Sequence, residues 1–224
     1  MFGIAFVLLS LIQVPNSPAP DEISDAIAHA EALYDTAHFG EAITLLTRID
    51  SVLSTQPDRL RDKLETKLQL GLNSIGLNDT TKAKSFFMAL YGLDLDYALD
   101  SQRFSSRVMS IAEEAKAEQA KLWCYDVQTT ARTHLDKSEA TAFLDLLQSS
   151  GSKCPTLQAM GPEAAEIFFR TGLAAYKRGE LSNALSSFKT ALTLSPEHEL
   201  AQDYAELTYG KLQLEEEIKR KPLK

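Results

Sequence analysis

A chain of 224 residues has room for one or two ordinary domains or for a handful of stacked repeats. Its hydrophobic content of 44% and charged content of 24% are those of a folded, soluble chain. The formal net charge of −8, from 23 basic and 31 acidic residues, argues against binding to a phosphate backbone, which needs clustered Lys and Arg. Nucleic acid is therefore set aside as a partner.

Met1–Val14, MFGIAFVLLSLIQV, is apolar and uncharged, and PNSPAP (Pro15–Pro20) follows it. A hydrophobic run with a small-residue exit is the pattern of a signal peptide, so residues 1–20 are expected to be a leader and linker of an exported protein. A buried amphipathic helix is the alternative, but the run has no polar face. It is also shorter than the roughly 20 residues of a membrane span. The leading region lacks Lys and Arg, and a cut after Ala19 would leave Pro20 at the new terminus, a poor peptidase substrate. The segment can instead remain as a loose anchor, and membrane contact is expected at most through it. No Cys follows, which excludes a lipoprotein-type anchor.

From Ile23 onward the chain repeats itself. ALYDTAHFGEAITLL (Ala32–Leu46) aligns without gaps on AAYKRGELSNALSSF (Ala174–Phe188), an offset of 142 residues. Tyr34 then pairs with Tyr176, Ala42 with Ala184 and Leu46 with Phe188, while Ala30 stands for Gly172. A second copy begins near Leu64 at an offset of 101, pairing Gly71 with Gly172, Ala83 with Ala184 and Phe87 with Phe188. Its connection, Gly76–Thr81, is rich in the Gly, Asn, Asp and Thr that helix-to-helix turns use.

Leu90–Lys121 follows, in the order LD-Y-x-LD-x2-RFSS-x-V-x2-IAEEAK. It looks like a segment that recurs after the helical repeats of exported bacterial repeat proteins, with Ser101 and Ser106 where prolines are usual. Ser105 or Ser106 is expected to cap a helix ending near Lys121, with Val108, Ile111, Ala112 and Ala115 on one face. Asp94, Asp96 and Asp100 suggest calcium, but an EF-hand loop needs Gly and Glu where Leu99 and Ser105 stand. A solvated turn is the better account.

Taking Ala140 as the counterpart of Ala184 gives an eroded copy starting at Lys121, with Leu144 and Leu147 in its next two core slots. Its helices are expected at Lys121–His134 and from a Ser138 cap to SSGS (Ser149–Ser152). WCYDVQ is β-prone, but a lone strand would have no partner, so helix is preferred. Cys124 and Cys154 would then meet at one end of an antiparallel hairpin, and export permits a disulfide. Two separate thiols are the alternative.

Ala164–Glu199 is the best-preserved copy. With Ala165 at position one, Phe168 falls at four, Gly172 at eight, Gly179 at fifteen, Ala184 at twenty, Phe188 at twenty-four, Ala191 at twenty-seven and Pro196 at thirty-two. This resembles the 34-residue tetratricopeptide repeat, W-x2-L-G-x2-Y…A-x3-F…P, with Phe168 in the Trp slot. Thr171 and Ala175 depart from its Leu and Tyr. Gly172 and Ala184 are small where two helices cross, Phe168 and Phe188 fill the surrounding space, and Gly179 allows the turn. Ser195 is expected to cap a helix started by Pro196. The resemblance implies an all-α fold, an α-solenoid of antiparallel helix pairs. Its segments would be 21–121 (repeats plus a following helix), 122–160 (a degenerate hairpin) and 161–224 (a clear repeat plus a capping helix). Leu200, Tyr204, Leu207 and Leu214 are expected to form the capping helix's apolar face.

Catalytic signatures are missing. His29, His38, His134 and His198 share no metal-ligand spacing, and neither H-E-x-x-H, G-x-G-x-x-G, G-x4-GK[ST] nor G-x-S-x-G occurs. Two Cys thirty residues apart do not make a zinc centre. The expectation is a non-catalytic protein without metal or cofactor. The resemblance places a partner groove on the first helix of each repeat: Ser24, Ile27, Glu31 and Tyr34; Glu65, Leu68, Leu72 and Ile75; Glu166, Phe169, Leu173 and Tyr176. The Lys and Asn with which chaperone-binding members clamp a terminal carboxylate are absent. An apolar groove edged by Glu suits an amphipathic or extended peptide with some positive charge. The alternative is that neighbouring helices cover these side chains. An exported scaffold binding a protein partner in the bacterial periplasm or envelope is the first hypothesis. A self-associating homo-oligomer is the second, and an unrecognised enzyme the third.

Overall fold

A computed structural model describes residues 20–220. Residues 1–19 of the expected leader and linker lie outside them, while Pro20, expected in the linker, is the first residue of a helix. Among the described residues there are ten helices and no strand: α1 (Pro20–Asp35), α2 (Phe39–Leu53), α3 (Leu60–Gly76), α4 (Thr80–Leu93), α5 (Ser106–Asp136), α6 (Ala140–Ser150), α7 (Pro155–Gln158), α8 (Gly161–Lys177), α9 (Leu181–Leu194) and α10 (Glu199–Arg220). The protein is all-α. Two compact units divide between Ala120 and Lys121, inside α5.

Four helical hairpins turn in one way. Ala37, Asn78, Ser138 and Gly179 adopt positive φ (61°, 61°, 56° and 80°) between α1 and α2, α3 and α4, α5 and α6, and α8 and α9. In each, the next residue's N–H reaches back five residues: His38 to the Leu33 carbonyl, Asp79 to Ser74, Glu139 to His134 and Glu180 to Ala175, at 2.8–3.0 Å. The turn residue itself donates to Tyr34, Ile75, Leu135 or Tyr176, at 2.9–3.0 Å. This paired pattern satisfies the orphan carbonyls of a helix end and requires a left-handed residue, for which Gly is best suited.

In unit 1, α1–α4 pack as neighbours. One core cluster joins Ile23, Ile27, Ala30, Ala42, Leu46 and Leu70; a second joins Leu68, Leu72, Ala83, Phe87 and the α5 residues Val108, Ile111, Ala112 and Ala115. The close approach is literal at Gly71, where an added Cβ would stand 2.6 Å from the Phe87 ring. The first hairpin carries Ala30 and the smaller Leu46 at the same two places, both fully buried. Volume moved from one side chain to the other.

Unit 2 has one core, from Val127 and Ala131 on α5 through Phe143, Phe168 and Phe188 to Ala201 and Ala205 on α10. Gly172 repeats the close approach, its missing Cβ lying 2.7 Å from the Phe188 ring. Residues expected as separate segments, 122–160 and 161–224, share this core.

Several local expectations need correction. The expected break near Lys121 is absent, and α5 runs unbroken for 31 residues, because no Gly or Pro interrupts Ser106–Asp136. Its start is as expected: the Ser105 hydroxyl accepts from the Val108 N–H at 3.4 Å. Ser138 does not cap α6; it is the left-handed turn residue, and Glu139 precedes the helix. The third hairpin's register is therefore set by Ser138 matching Gly179, which puts Phe143 where Ala184 stands. Phe143 is fully buried, and Leu144 only half-buried. Ala140 misled the alignment because this hairpin inverts the size order, with small Ala131 buried on the first helix and a large ring on the second.

At the C-terminal end, α10 begins at Glu199 rather than Pro196, and His198 rather than Ser195 caps it, its Nδ1 accepting from the Ala201 N–H at 3.2 Å. The buried side of α10 is Ala201, Ala205 and Thr208 with half-buried Tyr204, whereas Leu200, Leu207 and Leu214 are exposed. Small residues there let the aromatic rings of α8 and α9 reach the helix.

Candidate groove in the first unit

α1 and α3 set their faces side by side, because each is the first helix of its hairpin and the second helices, α2 and α4, pack behind them. Between these faces and the connection ahead of α5 lies a groove of about 770 Å³. Ser24, Ile27, Glu31, Tyr34 and Asp35 line it from α1; Arg61, Asp62, Glu65, Leu68, Gln69 and Leu72 from α3; Tyr97–Asp100, Arg103 and Phe104 from the connection. Ile27, Leu68, Gln69 and Leu72 are its buried floor, while Glu31, Asp35, Arg61, Asp100 and Arg103 are exposed at its edge. Of the eight positions assigned to the first two hairpins, all but Ile75 line the groove; Ile75 packs half-buried against the core under α4.

Acceptors dominate the lining. Five carboxylates (Glu31, Asp35, Asp62, Glu65, Asp100) face two guanidiniums (Arg61, Arg103), and with Asp62 paired to Arg59 outside the lining the excess is two negative charges. Asp62 is held by Arg59 Nε at 2.5 Å. Glu65 accepts from Gln69 Nε2 at 3.1 Å, one helical turn on, which fixes the carboxylate against the wall. Burial raises the Tyr97 phenol above its ordinary value, and the negative charge of Glu65 adds to that shift while Arg103 opposes it. Glu65 is thus felt across the groove from α3 to the connection.

Two aspartates close the turns of the connection. Asp94 Oδ1 accepts from the Asp96 N–H and Asp100 Oδ1 from the Gln102 N–H, both at 2.9 Å. Such side-chain-closed turns are self-sufficient. Among the described residues no group of three or more His, Cys, Asp or Glu is placed to hold a metal ion.

Sequence reasoning missed Gln69 and its neighbours. Thr66, Gln69, Asn73 and Ser74 are buried on α3, a helix enclosed on nearly every side. Asn73 Nδ2 donates to the Gln69 carbonyl and Ser74 Oγ to that of Leu70. The signal was present as polar residues at helical spacing (66, 69, 73), but alternating Leu residues in KLQLGLNSIG masked its period.

In unit 2 the same face is closed. Phe169 is buried, its ring centroid 4.9 Å from His198 and 5.9 Å from both Phe188 and Tyr204. Tyr176 meets Tyr204 edge-on at 5.7 Å, and Lys211 Nζ stands 4.4 Å over its ring. Leu173 is half-buried in the same cluster. Glu166 is drawn below its ordinary value by Arg170 and, to a smaller degree, by His198. Phe169, Leu173 and Tyr176 therefore form the seat of α10, the covered state that was the alternative for these positions.

Cys124 and Cys154 lie at disulfide distance, with Cα atoms 5.3 Å apart. The pair ties mid-α5 to the start of α7. Thr156 and Gln128 hydrogen-bond around the sulfurs. Comparison with known protein families, curated proteins and solved structures finds no match. Among the described residues no helix is long and apolar enough to cross a membrane.

Proposed function

We propose that the chain is a non-catalytic scaffold of tetratricopeptide-repeat type, an α-solenoid of stacked hairpins. Its role is to hold a segment of a protein partner in the groove between α1 and α3. Four hairpins turning through the same hydrogen-bond pattern support the repeat reading. The observation that carries the binding role is the groove itself: buried apolar Ile27, Leu68 and Leu72 beneath a polar edge, at the positions repeat proteins present to partners. Export to the periplasm or envelope completes the proposal and rests on the apolar, uncharged Met1–Val14 run and the cysteine pair.

Site-specific photocrosslinking in the native cell tests the binding role. A benzophenone amino acid at Tyr34 is expected to capture a discrete foreign protein, while the same group at exposed Tyr209 on α10 does not. Capture only of other copies of this chain rejects the scaffold reading. Fractionation with N-terminal sequencing tests export, which a cytosolic protein with its N-terminus intact refutes. Exposed Leu200, Leu207, Leu214 and Ile218 on α10 favour a second reading, self-association through the terminal helix. A concentration-independent monomer in sedimentation would reject it.

A further inference from the structure

The geometry points to a partner segment carrying a Lys or Arg, whose cation sits on Glu65 while large apolar neighbours rest on Ile27, Leu68 and Leu72. This rests on the groove being a polypeptide site and adds which polypeptides it accepts. The groove's charge and its apolar floor must both be matched by one ligand. A purely apolar segment would leave the half-buried carboxylate of Glu65 facing low-dielectric surface, and burying an uncompensated charge is costly. An acidic segment would add like charge. A basic amphipathic segment satisfies both requirements, because the long stems of Lys and Arg lie along apolar surface while their heads reach a carboxylate.

Glu65 is the best-prepared acceptor of the set. It is half-buried, so its attraction is less screened than that of exposed Glu31 and Asp35. Its carboxylate is already oriented by the amide of Gln69, a residue only 4% exposed, so seating a cation requires little further ordering. Among the described residues, buried Gln69 Oε1 has no hydrogen-bond donor. No ion pair among the described residues joins Glu65 to Arg61 or Arg103, which stand at the groove's exposed edge.

The test uses the full chain and three labelled synthetic peptides. Each alternates Leu and Ser around one central residue: Lys, Glu, or norleucine, which keeps the Lys stem without the ammonium. Fluorescence anisotropy gives affinity, and ¹⁵N amide shifts locate binding. The Lys peptide is expected to bind at least ~10-fold tighter than the norleucine peptide, the scale of one charged hydrogen bond. Shifts should concentrate at Leu68–Leu72 and Tyr97. Glu65→Gln, which keeps size and hydrogen bonding, should erase the Lys preference with the melting temperature unchanged. Equal binding of all three peptides at those amides overturns the charge assignment and leaves the groove reading standing. A Lys preference that survives Glu65→Gln overturns Glu65 as the seat. If no peptide moves those amides at millimolar concentration, both readings fall.

Discussion

Gly172→Ala is the sharpest test of how the hairpins are packed. The new Cβ would lie 2.7 Å from Phe188 Cδ1 and Cε1 and 3.2 Å from the Ala184 carbonyl oxygen. The ring cannot simply swing away, because Phe188 is fully buried with Phe169 at 5.9 Å and Tyr204 at 5.7 Å. Overpacking of this kind costs about 1–3 kcal/mol, and the better helix propensity of Ala returns about 1 kcal/mol. The net expectation is a destabilisation of about 1 kcal/mol, or roughly 4–8 °C in the melting of a unit this size. Phe188→Leu alone should cost about 1–2 kcal/mol through the space it leaves. Together they recreate the Ala30 and Leu46 arrangement of the first hairpin, so the double variant should be more stable than the sum of the two by about 1–2 kcal/mol. Trp123, the chain's single tryptophan, packs against the unit 2 core and reports its urea unfolding. Additivity within ~0.3 kcal/mol, or a more stable Gly172→Ala, would refute the close-approach reasoning.

Ala37→Gly relieves a left-handed turn residue that costs about 1–2 kcal/mol with a side chain and, after the extra unfolded-state entropy of Gly, should stabilise unit 1 by roughly 0.5–1 kcal/mol in thermal unfolding. Replacing Cys124 and Cys154 by Ser opens a 31-residue loop and should destabilise unit 2 by about 3–4 kcal/mol on the chain-entropy model, seen as an earlier Trp123 transition. Burial, with smaller contributions from Glu113 and Tyr97, pushes the Tyr91 phenol up to about 12. The unfolded chain loses that proton near pH 10 and the folded chain only near 12, so stability is fully present below pH 10 and falls as pH rises between the two. Alkaline unfolding should be delayed in Tyr91→Phe relative to the parent, and a phenolate absorbance with all tyrosines ionising together near pH 10 would contradict this.

Much of the local structure was legible because short-range stereochemistry decides it. The offsets of 142 and 101 residues located two hairpins through their small and large core positions, and Gly179 and Asn78 marked turns that need a left-handed residue. Cys124 and Cys154 could be brought together from hairpin geometry alone. The third hairpin was harder. Its crossing is packed by Ala131 and Phe143 in the reverse size order, and a pattern that looks for a small residue in one slot selects Ala140 instead.

What sequence by itself determined, then, is an all-helical chain of recurring hairpins, three of which carry apolar residues and a Glu on one face of their first helix. Local periodicity and turn chemistry suffice for that. Tertiary structure alone decided the fate of each such face, since burial depends on which element comes next in space. α10 buries small Ala201, Ala205 and Thr208 and sets Tyr204 against Phe169 and Tyr176, and that face became core. The connection before α5 instead turns on its own aspartates and holds Tyr97 and Phe104 at the edge, leaving a groove over Ile27, Leu68 and Leu72. The same residue pattern is a floor in one unit and a filled core in the other.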